Sequence, residues 1–196
     1  SISSNLPDSP INVVIEDNLN KNILYVGNDH GVYISLDQGK TWEPFSKGLT
    51  SAAVHDLVIQ TKEKHLLVGT HGRSIYLADI KKIQDLSDEI LQSSLYIYPL
   101  KNVKKSNSWG VQRSIWSQAY TPKLDITLFS SLSTDYNISI NDSNGNNVYK
   151  SEGKLDKGFN FISYNLMDNN EYLDKGLYKV LIITDKDNLE KEFQIQ

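Results

Sequence analysis

The 196-residue chain reads as an all-β protein in two modules joined by short helices, and two observations predict this. Short, β-branched-rich strands bounded by Asn, Asp and Gly recur throughout, the signature of a strand-and-turn protein. The N-terminal strands also repeat at a period of about 40 residues, whereas the C-terminal ones do not.

Ile11–Glu16, Ile23–Gly27 and Gly31–Ser35 form the first copy of the repeat, and Val54–Ile59, Leu66–Gly69 and Ser74–Leu77 the second. Thr41–Phe45 is the expected fourth, outer strand of the first copy. Pro44 suits an edge there because it cannot donate a ladder hydrogen bond. Three or four short strands per copy at this spacing match a β-propeller blade. Residues 1–78 therefore read as two blades.

Residues 79–108 read as a connector. Ile80, Ile83 and Leu86 have helical spacing, and Ser87 is placed to cap a second short helix with Asp88 and Glu89 at its positive end. A strand ending at Pro99 and a polar, basic loop over 101–108 follow. Residues 109–196 hold roughly seven short strands, including Asp125–Phe129, Tyr136–Ile140, Gly158–Leu166, Gly176–Ile183 and Lys191–Ile195. Asn144-Gly145 marks a tight hairpin turn. That density of strands predicts an immunoglobulin-like β-sandwich.

Composition removes several function classes. With a net charge of −4, the chain lacks the basic balance of a nucleic-acid surface. There is no cysteine, which excludes disulfides, thiolate nucleophiles and Cys-based zinc sites. No apolar run approaches the roughly 20 residues of a membrane-spanning helix. A start at Ser1 is what a trimmed or mature fragment would show.

Ser35-Leu36-Asp37-Gln38-Gly39-Lys40-Thr41-Trp42 is the most specific stretch. Asp37 can bond backbone amides ahead of it, Gly39 supplies positive φ, and Trp42 is a large apolar plug. The pattern at Ser35, Asp37, Gly39, Thr41 and Trp42 resembles the Asp-box, or BNR repeat, of β-propeller proteins such as sialidases and Vps10/sortilin-like domains. The Val68–Leu77 run, with Gly69-Thr70-His71-Gly72-Arg73 at its centre, is similar to the final blade of large secreted BNR-repeat proteins of the sortilin-like type. The 109–196 module is similar to the immunoglobulin-like module of flagellar-hook-cap proteins, on Ile138–Asn146, Lys157–Asn160 and Lys175–Tyr178. The resemblance implies a bacterial protein that is secreted, at the cell surface or periplasmic. It further implies the C-terminal piece of a larger propeller, because two blades cannot close a ring of the usual four to eight.

Two readings stand for each remaining candidate. The Asp-box serves its turn or faces a ligand. Asp29 and His30 lie in the loop equivalent to that of His71 and Arg73, and either reach a glycan, peptide or metal or cap their own turns. Trp109, Trp116 and Tyr120 make either an aromatic seam or a sugar platform. Asp142–Asn146 opens like a calcium loop, but the twelfth position is Gly153, so a hairpin turn is expected. No catalytic residue, cofactor or metal site is expected. With only Arg73 and Arg113, an arginine triad of the sialidase kind cannot be assembled.

The expected function is a non-catalytic binding or assembly module whose partners are the remaining blades, on the same or a companion polypeptide, together with a protein or glycan ligand. The first alternative is the accessory end of a glycoside hydrolase whose catalytic residues lie upstream. The second is a C-terminal sorting domain, on Gly176–Tyr178 and Glu192–Ile195 with a faint echo at Tyr98-Pro99.

Overall fold

The computed structural model describes residues 2–46, 48–49 and 52–196. The chain divides into two compact units, Ser1–Leu86 and Ser87–Gln196. Among the described residues all sheets are antiparallel, and none closes into a barrel.

In the first unit β1 (Ile11–Glu16), β2 (Leu24–Asn28), β3 (Gly31–Ser35) and β4 (Glu43–Pro44) form a four-stranded meander in sequence order. The outer strand is only two residues long, and Pro44 lies exposed at its edge. β5 (Val54–Gln60), β6 (His65–Thr70) and β7 (Ile75–Asp79) form a second, three-stranded meander.

The first three strands of one meander match the three of the other in register. Each carries a bulge early in its first strand, after Ile11 in one and after Val54 in the other. The cross-strand row Ile15–Tyr25–Ile34 corresponds to Val58–Leu67–Leu77. The row Val13–Gly27–Val32 corresponds to Asp56–Gly69–Ile75. Residues directly opposite one another share a face, so both rows lie on one face of their sheet. On the first sheet that face packs against β5: a Cβ on Gly27 would stand 2.6 Å from Cγ1 of Val54.

The consequence appears in the burial. Tyr25, Val32 and Ile34 are 0%, 1% and 7% exposed, whereas their counterparts Leu77 and Ile75 are 62% and 72% exposed, and Val58 is 51% exposed. Leu67, the counterpart of Tyr25, is half-buried. The other face shows the reverse. Leu57 and Val54 of the second sheet are buried against the first, while the corresponding Val14 and Ile11 are 52% and 45% exposed, although Val26 beside Val14 is buried.

After β7, α1 (Lys81–Gln84) returns to the start of the first sheet. Gln84 donates through Nε2 to both oxygens of the buried Asp17, at 2.8 and 3.1 Å. Asp17 Oδ1 also accepts from the amides of Leu19 and Asn20, so the carboxylate closes the β1–β2 turn and anchors the helix together.

The second unit opens with α2 (Asp88–Gln92). Ser87 caps it by accepting the Ile90 amide, and two acidic residues occupy its first turn. The strands are β8 (Leu95–Ile97), β9 (Lys123–Ser130), β10 (Thr134–Asn141), β11 (Asn147–Leu155), β12 (Gly158–Asn165), β13 (Met167–Asp168), β14 (Glu171–Tyr172), β15 (Gly176–Ile183) and β16 (Asn188–Ile195). A β11-β10-β15-β16 sheet and a β12-β9-β8 sheet share one core, a β-sandwich, with β13-β14 as a small hairpin. Alternation does the sorting: Ile138 and Ile140, Val180 and Ile182, and Phe193 and Ile195 point inward from one sheet to meet Leu124, Ile126 and Leu128 of the other. β8 hydrogen-bonds to β9, so the strand following α2 is part of the sandwich. The Asn144-Gly145 turn is closed by Asp142, whose Oδ1 accepts the amides of Asn144 and Asn146 at 2.8 Å each.

Candidate functional site

The Asp-box is built as a clasp. Ser35 Oγ donates to Asp37 Oδ1 at 2.8 Å and accepts the Gly39 amide at 2.8 Å. Asp37 accepts the Thr41 amide at 2.8 Å and the Thr41 hydroxyl at 2.6 Å. Gln38 and Gly39 both have positive φ, 61° and 83°, which reverses the chain between Ser35 and Thr41. Burial by itself would raise the Asp37 carboxyl, but the hydrogen bonds from Thr41, Ser35 and the Lys40 amide outweigh it and hold the group below the usual carboxylate range.

The clasp grips the N-terminal segment, a feature the motif spacing did not announce. Buried Trp42 donates its indole N–H to the Ile2 carbonyl at 2.7 Å. Asn5 brackets the Trp42 backbone, accepting its amide and donating to its carbonyl at 2.8 Å each. Ser4 Oγ donates to the Lys40 carbonyl at 2.6 Å. All five motif positions thus go to closing the turn, filling the sheet or holding Ile2–Asn5.

Asp29 and His30 sit at the β2–β3 turn, and His71 and Arg73 at the β6–β7 turn; all four are exposed. Asp29 accepts from the Asn12 side chain at 3.0 Å, and the His30 amide donates to Asn28 Oδ1 at 2.9 Å. The His71 amide donates to the Ala53 carbonyl at 2.8 Å, and its ring lies 5.4 Å from that of His55. The His55 contact joins β5 to the β6–β7 turn and carries no sequence signal. Among the described residues, no three His, Cys, Asp or Glu side chains come together as a metal site.

Trp109, Trp116 and Tyr120 do not form one aromatic cluster. Trp109 packs against the sandwich core and meets the Tyr172 ring edge-on at 5.8 Å. Trp116 is 91% exposed and Tyr120 55% exposed. Trp109 and Tyr120 instead line a groove of about 810 Å³ formed by the 104–121 loop against β9 and β12. Its cations are Lys104, Arg113 and Lys123, and its amides are Gln118 and Asn165. The loop is held by a Gly110–Tyr120 backbone bond at 2.8 Å, and its start by Val103, which bridges to Ile195. Gly110, at φ 76°, approaches Tyr172 so closely that a Cβ there would stand 2.9 Å from the ring.

No family model matches the chain, and no curated protein matches it. Among solved structures, the extracellular domain of a putative hybrid two-component system from B. thetaiotaomicron aligns over 96% of this chain at 13% identity with a TM-score of 0.30. The chain spans 25% of that chain's length. Among the described residues, no helix is long and apolar enough to cross a membrane.

Proposed function

We propose that the first unit is two successive sheets of a larger stack, a β-propeller, and that the second is an immunoglobulin-like module on the same chain. The whole would act as a non-catalytic binding or assembly piece outside the cytoplasm. One observation carries the reading: the positions that bury Val32 and Ile34 in the first sheet leave Ile75 and Leu77 exposed in the second. A face patterned for burial calls for a cover. The cover that fits is a sheet presenting what the second sheet presents to the first, namely a Val54- and Leu57-like face. Finishing the burial of Val58, Ile75 and Leu77 would contribute about 3–5 kcal/mol, since each side chain is worth roughly 1.5–3 kcal/mol fully buried and part is already covered. The Asp-box resemblance supports both the propeller and the extracytoplasmic location.

The test is the mass and composition of the native particle that contains residues 1–196, isolated through an antibody to the sandwich. Further sheet-forming sequence, on the same or a companion polypeptide, is expected. Recovery of the chain as a lone monomer with β7 freely exchanging its amides would overturn the stack. Hydrolysis of a glycan by this chain alone would overturn the non-catalytic part.

A further inference from the structure

We infer that the groove of the second unit is a binding site for an acidic oligosaccharide, a chain of sugars carrying carboxylate or sulfate groups. The inference is independent of the sheet-stack reading, because every residue of the groove belongs to the sandwich unit.

Charge makes the first argument. The chain carries a net charge of −4, yet Lys104, Arg113 and Lys123 converge on this groove and no Asp or Glu is among the residues lining it. A local reversal of sign in an acidic protein concentrates anions at the groove, while the net negative charge of the rest repels them elsewhere. Arg113 adds a planar fork suited to a carboxylate or sulfate.

Shape and ring chemistry make the second. Two aromatic side chains, Trp109 and Tyr120, share the lining with the cations. Sugar C–H faces are apolar patches that pack on such rings, while hydroxyls need amides and hydroxyls of the kind Gln118 and Asn165 offer. At about 810 Å³ the groove lies within the roughly 300–1,000 Å³ range of ligand sites. The hydrogen bonds that hold the loop, Gly110 to Tyr120 at 2.8 Å and Tyr120 to Val111 at 3.2 Å, form the site before any ligand arrives.

Anions of other classes meet the charge but not the rest. A nucleic acid needs a basic track along an extended surface, and here the three cations are confined to one groove. A phosphopeptide would use the cations and leave the aromatic faces idle.

The experiment uses the whole chain and reads indole fluorescence and calorimetry. The probes are tetragalacturonate, a heparin tetrasaccharide and neutral maltotetraose, with a thymidine decanucleotide and a phosphoserine peptide as competitors. At least one acidic tetrasaccharide is expected to bind, at least tenfold more tightly than maltotetraose and with affinity falling as salt rises. Arg113→Gln and Tyr120→Ala, both exposed positions, should each weaken it at least fivefold, while Lys186→Gln, outside the groove, should leave it unchanged. Failure of both acidic sugars to bind would overturn the proposal. So would equal binding of maltotetraose, tighter binding of the oligonucleotide or phosphopeptide, or indifference to both groove variants. Circular dichroism of each variant confirms that the fold is kept.

Discussion

Replacing Gly27 by alanine tests the close stacking of the two N-terminal sheets, and Gly69 is its built-in control. The two glycines occupy matched places in their meanders, opposite Val13 and Val32 in one and Asp56 and Ile75 in the other. Neither has a left-handed φ, so alanine is allowed by the backbone at both. At Gly27 the new Cβ would meet Val54 Cγ1 at 2.6 Å and Val13 Cγ1 at 2.7 Å. Valine is stiff at χ1 and Val54 is fully buried, so the sheets must part. Overpacking of this kind costs about 1–3 kcal/mol, against a gain of about 0.5–1 kcal/mol from stiffening the unfolded strand. The net expected loss is about 1–2 kcal/mol. At Gly69 the nearest atom is Asp56 Cβ at 3.4 Å, an ordinary contact, so the gain stands nearly alone. Thermal unfolding by calorimetry with parallel circular dichroism reads the difference. Gly27→Ala should lower the transition of the first unit by roughly 4–16 °C at about 4–8 °C per kcal/mol, while Gly69→Ala should hold or raise it. A Gly27→Ala protein as stable as the wild type, or an equal loss at Gly69, would refute the stacking argument.

Asp37→Ala removes the acceptor of the Thr41 amide and hydroxyl and of the Ser35 hydroxyl, and should cost about 1–2 kcal/mol after allowance for partial exposure, measured by urea titration. Because the folded-state pKa of Asp37 is depressed, its contribution is complete above the unfolded value of about 3.9 and is lost as pH falls through the lower folded value. The gap between wild type and Asp37→Ala should therefore close in acid, and a gap unchanged at pH 2 would count against it. Trp42→Phe removes the indole donor to the Ile2 carbonyl and should raise proteolysis at the N-terminal segment, read by mass spectrometry of timed digests. Ile140→Ala, fully buried between the sandwich sheets, should cost about 2–5 kcal/mol, and a loss under 1 kcal/mol in denaturant would contradict its place in that core.

Much of the strand content was legible because alternation and turn residues are local signals. Ile138, Ile140, Val180 and Ile182 alternate inward as their spacing predicts, and Ser87 caps α2 where the sequence places a cap. The β13–β14 hairpin was not foreseen. Its strands are two residues each, too short for periodicity, and its turn is Asn169-Asn170, both at positive φ, a pair of left-handed-tolerant residues that was the available signal. The Asp-box turn could be read from Asp37 and Gly39, but its grip on Ile2–Asn5 could not, since Ser4 and Asn5 are ordinary polar residues until the chain returns to them. The groove was half visible: Trp109 and Tyr120 stand out in sequence, whereas Lys104, Arg113 and Lys123 become neighbours only through the fold of the 104–121 loop. Trp116, the third aromatic of that set, ends in solvent.

The matched meanders have one further consequence. The exposed row at Val58, Ile75 and Leu77 and the exposed residues Ile11 and Val14 are the register counterparts of the two faces that meet where the sheets pack together. One copy of the chain therefore offers a donor end and an acceptor end. Such head-to-tail contacts close into a ring when the rotation per step divides a full turn, and otherwise grow as a filament. Self-association that rises with concentration, read by sedimentation velocity, is therefore the expected behaviour of the isolated chain.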